Sequence, residues 1–113
     1  MGKPVVHWEI NARNPSSLHK FYAELFGWKI DANNPINYGM VETGSPGING
    51  GIGPADGEGY ITFYVQVEDL QAYLEKAERL GGKVVVPPTE IPGMVTYAMF
   101  TDPEGFRIGL VKG

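Results

Sequence analysis

The stretch Thr101-Asp102-Pro103-Glu104-Gly105-Phe106-Arg107-Ile108-Gly109-Leu110-Val111 decides how the rest of the chain is read. Pro103 presets the φ of a turn corner, and Gly105 can take the position that needs φ > 0. The Asp102 carboxylate can accept a backbone N–H of the same turn. Beyond the turn the residues alternate, with Phe106, Ile108 and Leu110 on one face and Arg107, Gly109 and Val111 on the other. The reading is a tight turn feeding a last strand, Phe106 to Val111, whose hairpin partner runs from Met94 to Thr101.

Working back through the chain, the same unit appears twice. Val5 to Ala12 reads as a strand with Val6, Trp8, Ile10 and Ala12 apolar, and His7, Glu9 and Asn11 between them. Asn14-Pro15 opens a helix expected over Pro15–Phe26, with Leu18, Phe21, Tyr22 and Leu25 on its buried face and Gly27 ending it. Trp28 to Ile30 and Tyr38 to Thr43 follow as strands. A short bent strand lies within the glycine-rich Ser45 to Pro54. In the second half Tyr60 to Val67 is a strand and Asp69–Leu80 a helix, with Leu70, Tyr73, Leu74, Ala77 and Leu80 buried. Lys83 to Val86 is a strand broken by Pro87-Pro88, and the closing hairpin completes the set. The halves superpose at an offset of about 55 positions, so that Trp8 matches Phe63, Asn14 matches Asp69 and Gly27 matches Gly82. The expected unit is β-α-β-β-β, twice: modules at 1–54 and 60–113 joined by a linker at 55–59, all in one α+β domain.

Bulk properties narrow the function. The 113 residues carry 42% hydrophobic and 19% charged side chains, the composition of a folded protein. A net charge of −4 with scattered Lys and Arg gives no footprint for nucleic acid. No cysteine is present, which removes disulfides, thiolate metal sites and thiol nucleophiles. Neither a signal peptide nor an apolar run long enough for a membrane span occurs, so a cytoplasmic location is expected, with no membrane partner.

One face of each half must pack on its helix. Trp8, Ile10, Phe63, Val65, Ile108 and Leu110 suit that role. The opposite parity then holds His7, Glu9 and Asn11, Thr62, Tyr64 and Gln66, and Arg107 and Gly109. On a flat antiparallel sheet that face would be wet. On a curled sheet it would line a trough, and the glycines around Gly50-Gly51 permit bending. His7 and Glu9 lie two residues apart on one face and so enter the same space. The pair can form a weak metal site, a proton-transfer pair or an ion-pair network in which Glu9 meets Arg107. His19, spaced like a surface residue of the first helix, is assigned no role.

The paired modules, the first-strand His7, Phe21-Tyr22…Leu25-Phe26-Gly27-Trp28 and Asp102-Pro103-Glu104-Gly105 together resemble the vicinal oxygen chelate superfamily. That group includes glyoxalase I, bleomycin-resistance proteins, extradiol dioxygenases and methylmalonyl-CoA epimerase. The resemblance covers essentially the whole chain and implies a curled, half-barrel mixed sheet. It implies a small-molecule ligand, a homodimer and, in the metalloenzymes, one divalent metal bound from the first and last strands of each module. Carried over here, the first-strand ligand falls on His7 and its repeat mate on Thr62. The last-strand glutamate falls on Gly109, and its first-module counterpart lies within 49–52, where no carboxylate or imidazole stands.

His7 is thus the only retained ligand position, and no cofactor is expected; Zn, Ni, Fe or Mn is the alternative. The resulting expectation is a binding protein that sequesters or transforms a small, aromatic ligand. Its candidate lining is Asn11, Met40, Tyr60, Thr62, Tyr64, Tyr97 and Arg107, with His7 and Glu9 as candidate catalytic residues. The alternatives are a metal-dependent lyase, isomerase or dioxygenase, and metal-free acid–base catalysis by His7 and Glu9.

Overall fold

The computed structural model describes residues 2–113. Its elements follow the expected β-α-β-β-β order in both halves. The first set is β1 (Val5–Ala12), α1 (Pro15–Phe26), β2 (Lys29–Asp31), β3 (Gly39–Glu42) and β4 (Gly50–Pro54). The second is β5 (Tyr60–Val67), α2 (Leu70–Arg79), β6 (Lys83–Ile91), β7 (Val95–Thr101) and β8 (Arg107–Lys112). Two compact units result: Val6–Thr62, and Phe63–Gly113 together with the residues up to Val5. The leading segment joins the second unit because the Gln66 amide donates to the Pro4 carbonyl at 2.9 Å and Lys3 meets Glu68 at 3.4 Å.

Within the first unit the strands run β2-β3-β4-β1, with β1 parallel to β4 and the other pairs antiparallel. Within the second they run β6-β7-β8-β5, with β5 parallel to β8. The α+β class and the doubled module therefore stand.

The turn before β8 forms as its sequence requires. Asp102 Oδ1 accepts the amides of Glu104 at 3.0 Å and Phe106 at 2.9 Å, and Gly105 sits at φ 91°. Both helices are capped as expected, Asn14 accepting from Ser17 and Asp69 from Ala72.

In the second unit Leu70 and Leu74 of α2 pack on Val67, Ala98 and Leu110, flanked by Val65, Tyr73 and Phe100. This places Val65 and Leu110 on the helix-covered face, as the alternation demanded. Burial along β5 fades toward its start: Val67 is buried, but Phe63 is 40% exposed. The expectation of a buried Phe63 is corrected here. The chain turns into α2 directly after Val67, so the helix covers the far end of the strand and leaves the near end open. Leu80, expected on the buried face, is 70% exposed because α2 already ends at Arg79.

In the first unit α1 packs on β4 and β2, with Val41 and Ile52 fully buried beneath it. Trp28 sits between Trp8, Tyr22 and Phe26, with ring centroids 4.9–5.7 Å from each. Phe21 and Leu25, expected to be buried, are 53% and 57% exposed. The apolar stripe of α1 is wider than the strip of sheet it meets, since β2 is only three residues long.

β6 is a further correction. It does not stop at Pro87-Pro88 but continues to Ile91, slipping register between Val84 and Val86 and again between Val86 and Thr89. As the outer strand of its unit it can carry prolines, whose missing N–H then costs no ladder bond.

Candidate functional site

The first unit gathers His7, Glu9 and Asn11 from the polar parity of β1 around a residue that the sequence pattern marks only as the start of a strand, Tyr38. The Tyr38 hydroxyl lies 2.7 Å from Glu9 Oε2 and 2.8 Å from His7 Nε2. Asn11 Nδ2 donates to Glu9 Oε1 at 2.8 Å. The four side chains form one continuous chain of hydrogen bonds, Asn11–Glu9–Tyr38–His7. Glu9 and Asn11 are buried, at 7% exposure each, so this face is not a wet one. Burial pushes the His7 imidazole below its ordinary range, and the Glu9 carboxylate beside it opposes that shift.

Local sequence explains why Tyr38 arrives there. The Asn34 side chain clamps its backbone, accepting the Tyr38 amide at 2.9 Å and donating to the Tyr38 carbonyl at 2.6 Å. Asn37 turns the chain with φ 54°, a conformation asparagine tolerates. The ring then lies over β4 at Gly51 and Gly53, the residues paired with Glu9 and Asn11. A Cβ on Gly51 would overlap the phenol, and one on Gly53 would stand 2.6 Å from its ring. Two glycines at i and i+2 on one strand face make a flat bay for an aromatic ring. That spacing is the sequence signal for Tyr38, although taken without its partner it indicates only permission to bend.

Met40 lies in the same cross-strand row as Glu9 and Gly51 and is 45% exposed. At the start of β5, Tyr60 is half-buried and Thr62 buried. In the second unit Tyr64 is buried and meets Tyr97 edge-on at 6.4 Å, and Arg107 is half-buried at the start of β8. His19, expected at the surface, is partly buried, and its Nε2–H donates to the Ile52 carbonyl at 2.8 Å. Gly39 makes room for it, since a Cβ there would lie 2.6 Å from that nitrogen.

The ladders also correct the fixed repeat offset. Glu9 pairs with Gly51 in one unit and Tyr64 with Gly109 in the other. Glu9 and Tyr64 are 55 positions apart, but Gly51 and Gly109 are 58 apart, the longer β6–β7 hairpin supplying the difference. Gly109, the position to which the resemblance carries a glutamate, and Gly51, its counterpart by register, are both glycine. Each underlies a tyrosine ring, Tyr38 on Gly51 and Tyr64 on Gly109.

In this hydrogen-bonded chain the potential metal donors are His7 and Glu9. Among the described residues no group of three or more His, Cys, Asp or Glu side chains gathers at a metal-binding distance. Three ligands are usual for a catalytic site and four for a structural one. Of the two that remain, Glu9 accepts from Asn11 and Tyr38 on its two oxygens, and His7 Nε2 faces Tyr38.

A model of the Glyoxalase/Bleomycin resistance protein/Dioxygenase superfamily matches residues 5–110. A glyoxylase-like domain-containing protein of Didymella fabae is 30% identical over 109 residues, 86% of this chain and 84% of that protein. A provisionally named glyoxylase, CFP32 of Mycobacterium tuberculosis, is 30% identical over 112 residues; the match takes in 90% of this chain but only 42% of that protein's length. The Mn(II)-bound glyoxalase of Novosphingobium aromaticivorans shares the fold at a TM-score of 0.69 and 16% identity, over 97% of this chain and 38% of that one. Among the described residues no helix is long and apolar enough to cross a membrane.

Proposed function

Since the chain belongs to the Glyoxalase/Bleomycin resistance protein/Dioxygenase superfamily, we propose that it binds a small molecule through His7 and Glu9 without chelating a transition metal. One observation carries this reading: the Tyr38 hydroxyl stands between His7 Nε2 and Glu9 Oε2, within hydrogen-bonding distance of both. Groups already joined by a phenol are arranged to donate and accept hydrogen bonds. A metal would have to displace that phenol from a bay built for it. The flat Tyr38 ring and the thioether of Met40 suit a planar ligand, whose polar atoms the imidazole and carboxylate would orient.

The test is saturation-transfer NMR with catechol and phenylpyruvate, on protein first dialysed against a chelator. Binding should persist after chelation and fall in His7→Ala. Stoichiometric Zn, Ni, Fe or Mn in the purified protein, lost on His7→Ala, would overturn the reading in favour of a metalloenzyme.

The same phenol bridge favours a second reading, acid–base catalysis by His7 with Glu9 behind it. Neutral imidazole can take a proton from carbon while the carboxylate, reached through Tyr38, stabilises the imidazolium. Exchange of the phenylpyruvate methylene protons with D2O, abolished by His7→Ala and weakened by Glu9→Gln, would support catalysis over simple binding.

A further inference from the structure

The face of the first unit that carries Tyr38 also has a sulfur-bearing flank. Gly51 is in register with Glu9 on β1 and with Met40 on β3. Residues in register on neighbouring strands share a face of the sheet. Alternation along β3 agrees. A Cβ on Gly39 would stand 2.6 Å from His19 Nε2 of α1, and Val41 is fully buried beneath that helix. Met40, between them, therefore lies on the opposite face. The place a Gly51 side chain would take is filled by the Tyr38 hydroxyl, so the phenol has Glu9 on one flank and Met40 on the other. Only one strand spacing, about 4.8 Å, separates Met40 from Gly51, a gap its long unbranched side chain can cross. Glu9 is buried, whereas Met40 is 45% exposed and forms the open rim.

We propose that Met40 is an oxidation-sensitive wall of the ligand site: conversion of its thioether to the sulfoxide by a hydroperoxide lowers affinity for a planar ligand, and reduction restores it. The proposal rests on the reading of this face as the ligand site. With no cysteine in the chain, its sulfur chemistry belongs to four methionines. Met99 is 3% exposed in β7, which shields it, and Met94 is 47% exposed in the turn between β6 and β7. Met94 therefore matches Met40 in access to solvent but belongs to the other unit.

The step is a two-electron oxygen transfer. Met40 Sδ takes one oxygen of hydrogen peroxide, the O–O bond breaks, and the second oxygen leaves as water with both protons. Sulfur is oxidised and the peroxide reduced. The product turns a flexible apolar flank into a polar, chiral one. A flat ligand resting on the thioether would lose its sulfur contact, and would have to cover an S=O group that prefers water. The new oxygen is also an acceptor placed on the flank of a phenol that already serves Glu9. In the reverse step, catalysed by methionine sulfoxide reductases, a dithiol becomes a disulfide and the oxygen leaves as water.

The test treats the parent, Met40→Leu and Met94→Leu proteins with hydrogen peroxide, removes the peroxide, and follows each methionine by peptide mass spectrometry. In the parent Met40 and Met94 should each gain one oxygen, and Met99 should not. The dissociation constants of catechol and phenylpyruvate, read by saturation-transfer NMR, should rise about five- to tenfold on oxidation of the parent and of Met94→Leu. They should return after incubation with both sulfoxide reductases and dithiothreitol. Met40→Leu should give the same constants before and after peroxide. Met40 that stays reduced while Met94 is oxidised overturns the proposal. So does unchanged binding by protein whose Met40 is a sulfoxide, or an equal loss in Met40→Leu. A readout without ligand separates this from the binding reading. The Tyr38 ring signals of 13C-labelled protein should move when Met94→Leu is oxidised and stay in place when Met40→Leu is. If those shifts appear but the untreated protein binds neither probe, the binding reading fails and the sulfur flank stands. If they do not appear, Met40 does not flank the phenol and the proposal falls.

Discussion

Tyr38 lies across Gly51, in the space where a side chain on the strand paired with β1 would otherwise stand. The relationship joins the fold to the site, because it lets one phenol reach both His7 and Glu9. Gly51→Ala tests it. The glycine does not need an unusual backbone conformation, so any cost must come from its new methyl overlapping the phenol. Overpacking of that kind costs about 1–3 kcal/mol. The loss should be smaller when Gly51→Ala is made on a Tyr38→Ala background, a coupling that a double-mutant cycle in denaturant reads directly. Equal losses on both backgrounds would mean that the bay does not hold the ring.

The turn before β8 offers a second measurement. Asp102 Oδ1 accepts two backbone amides, and the turn is closed by Asp102 N–H to the Phe106 carbonyl at 2.9 Å. Asp102→Ala should cost about 1–2 kcal/mol, the range for losing a side-chain acceptor of orphan amides. Asp102→Asn keeps an oxygen in place and should cost less. If the two variants unfold at the same denaturant concentration, the side chain is not what holds the turn.

Much of this was legible in the sequence, and the misses share causes. Caps, turns and the doubled module could be read because each depends on a few neighbouring residues: Asn14 with Ser17, Asp102 with Phe106, alternation in Val5–Ala12. What failed depended on distant partners. Pro87-Pro88 stops a central strand but not an outer one, and which strand lies outermost is a property of the whole sheet. Phe21 and Leu25 have the spacing of a buried face, but burial also needs sheet beneath them. Tyr38 and His19 were missed for the same reason. Each fills space left by glycines on another strand, Gly51 and Gly53 for one and Gly39 for the other. A glycine read in isolation signals a bend; a glycine opposite an aromatic ring is half of a contact.

α2 separates covered from uncovered leucines. Leu74 is 1% exposed within the Val67–Ala98–Leu110 cluster, and Leu80 lies past the helix end. Leu74→Ala should cost about 2–5 kcal/mol, as buried leucine truncations do. Leu80→Ala should stay within about 0.5 kcal/mol of the parent. Similar midpoints in urea for the two variants would show that Leu80 is buried in solution.

The exposed stripe of α1 bears on the homodimer expected from the sequence. Phe21, Leu25 and Phe26 are each more than half exposed on one helix. Grouped apolar side chains of this size usually mark a contact surface, and a second copy would bring an identical helix to a two-fold interface. Light scattering should then report a dimer for the parent protein and a monomer for Leu25→Asp. A parent protein that is monomeric at micromolar concentration removes the expectation.

Acid provides a test at His7 itself. Burial holds its imidazole below the ordinary value of 6.5, with Glu9 pulling the other way, so the folded state takes up this proton less readily than the unfolded chain. Stability rises with pH wherever the unfolded state binds more protons. The contribution of His7 is therefore complete above its unfolded value. It declines as pH falls below about 6.5 and levels off once the folded-state imidazole is also protonated. The effect should appear as a steeper loss of stability on acidification in the parent than in His7→Gln, which cannot titrate. Measuring the urea midpoint of both proteins across this interval isolates it, because every other group titrates alike in the two to a first approximation. A parent that gains stability relative to His7→Gln on acidification would mean that the Glu9 attraction outweighs burial. His7 would then be held as an imidazolium paired to the carboxylate, rather than as a neutral imidazole.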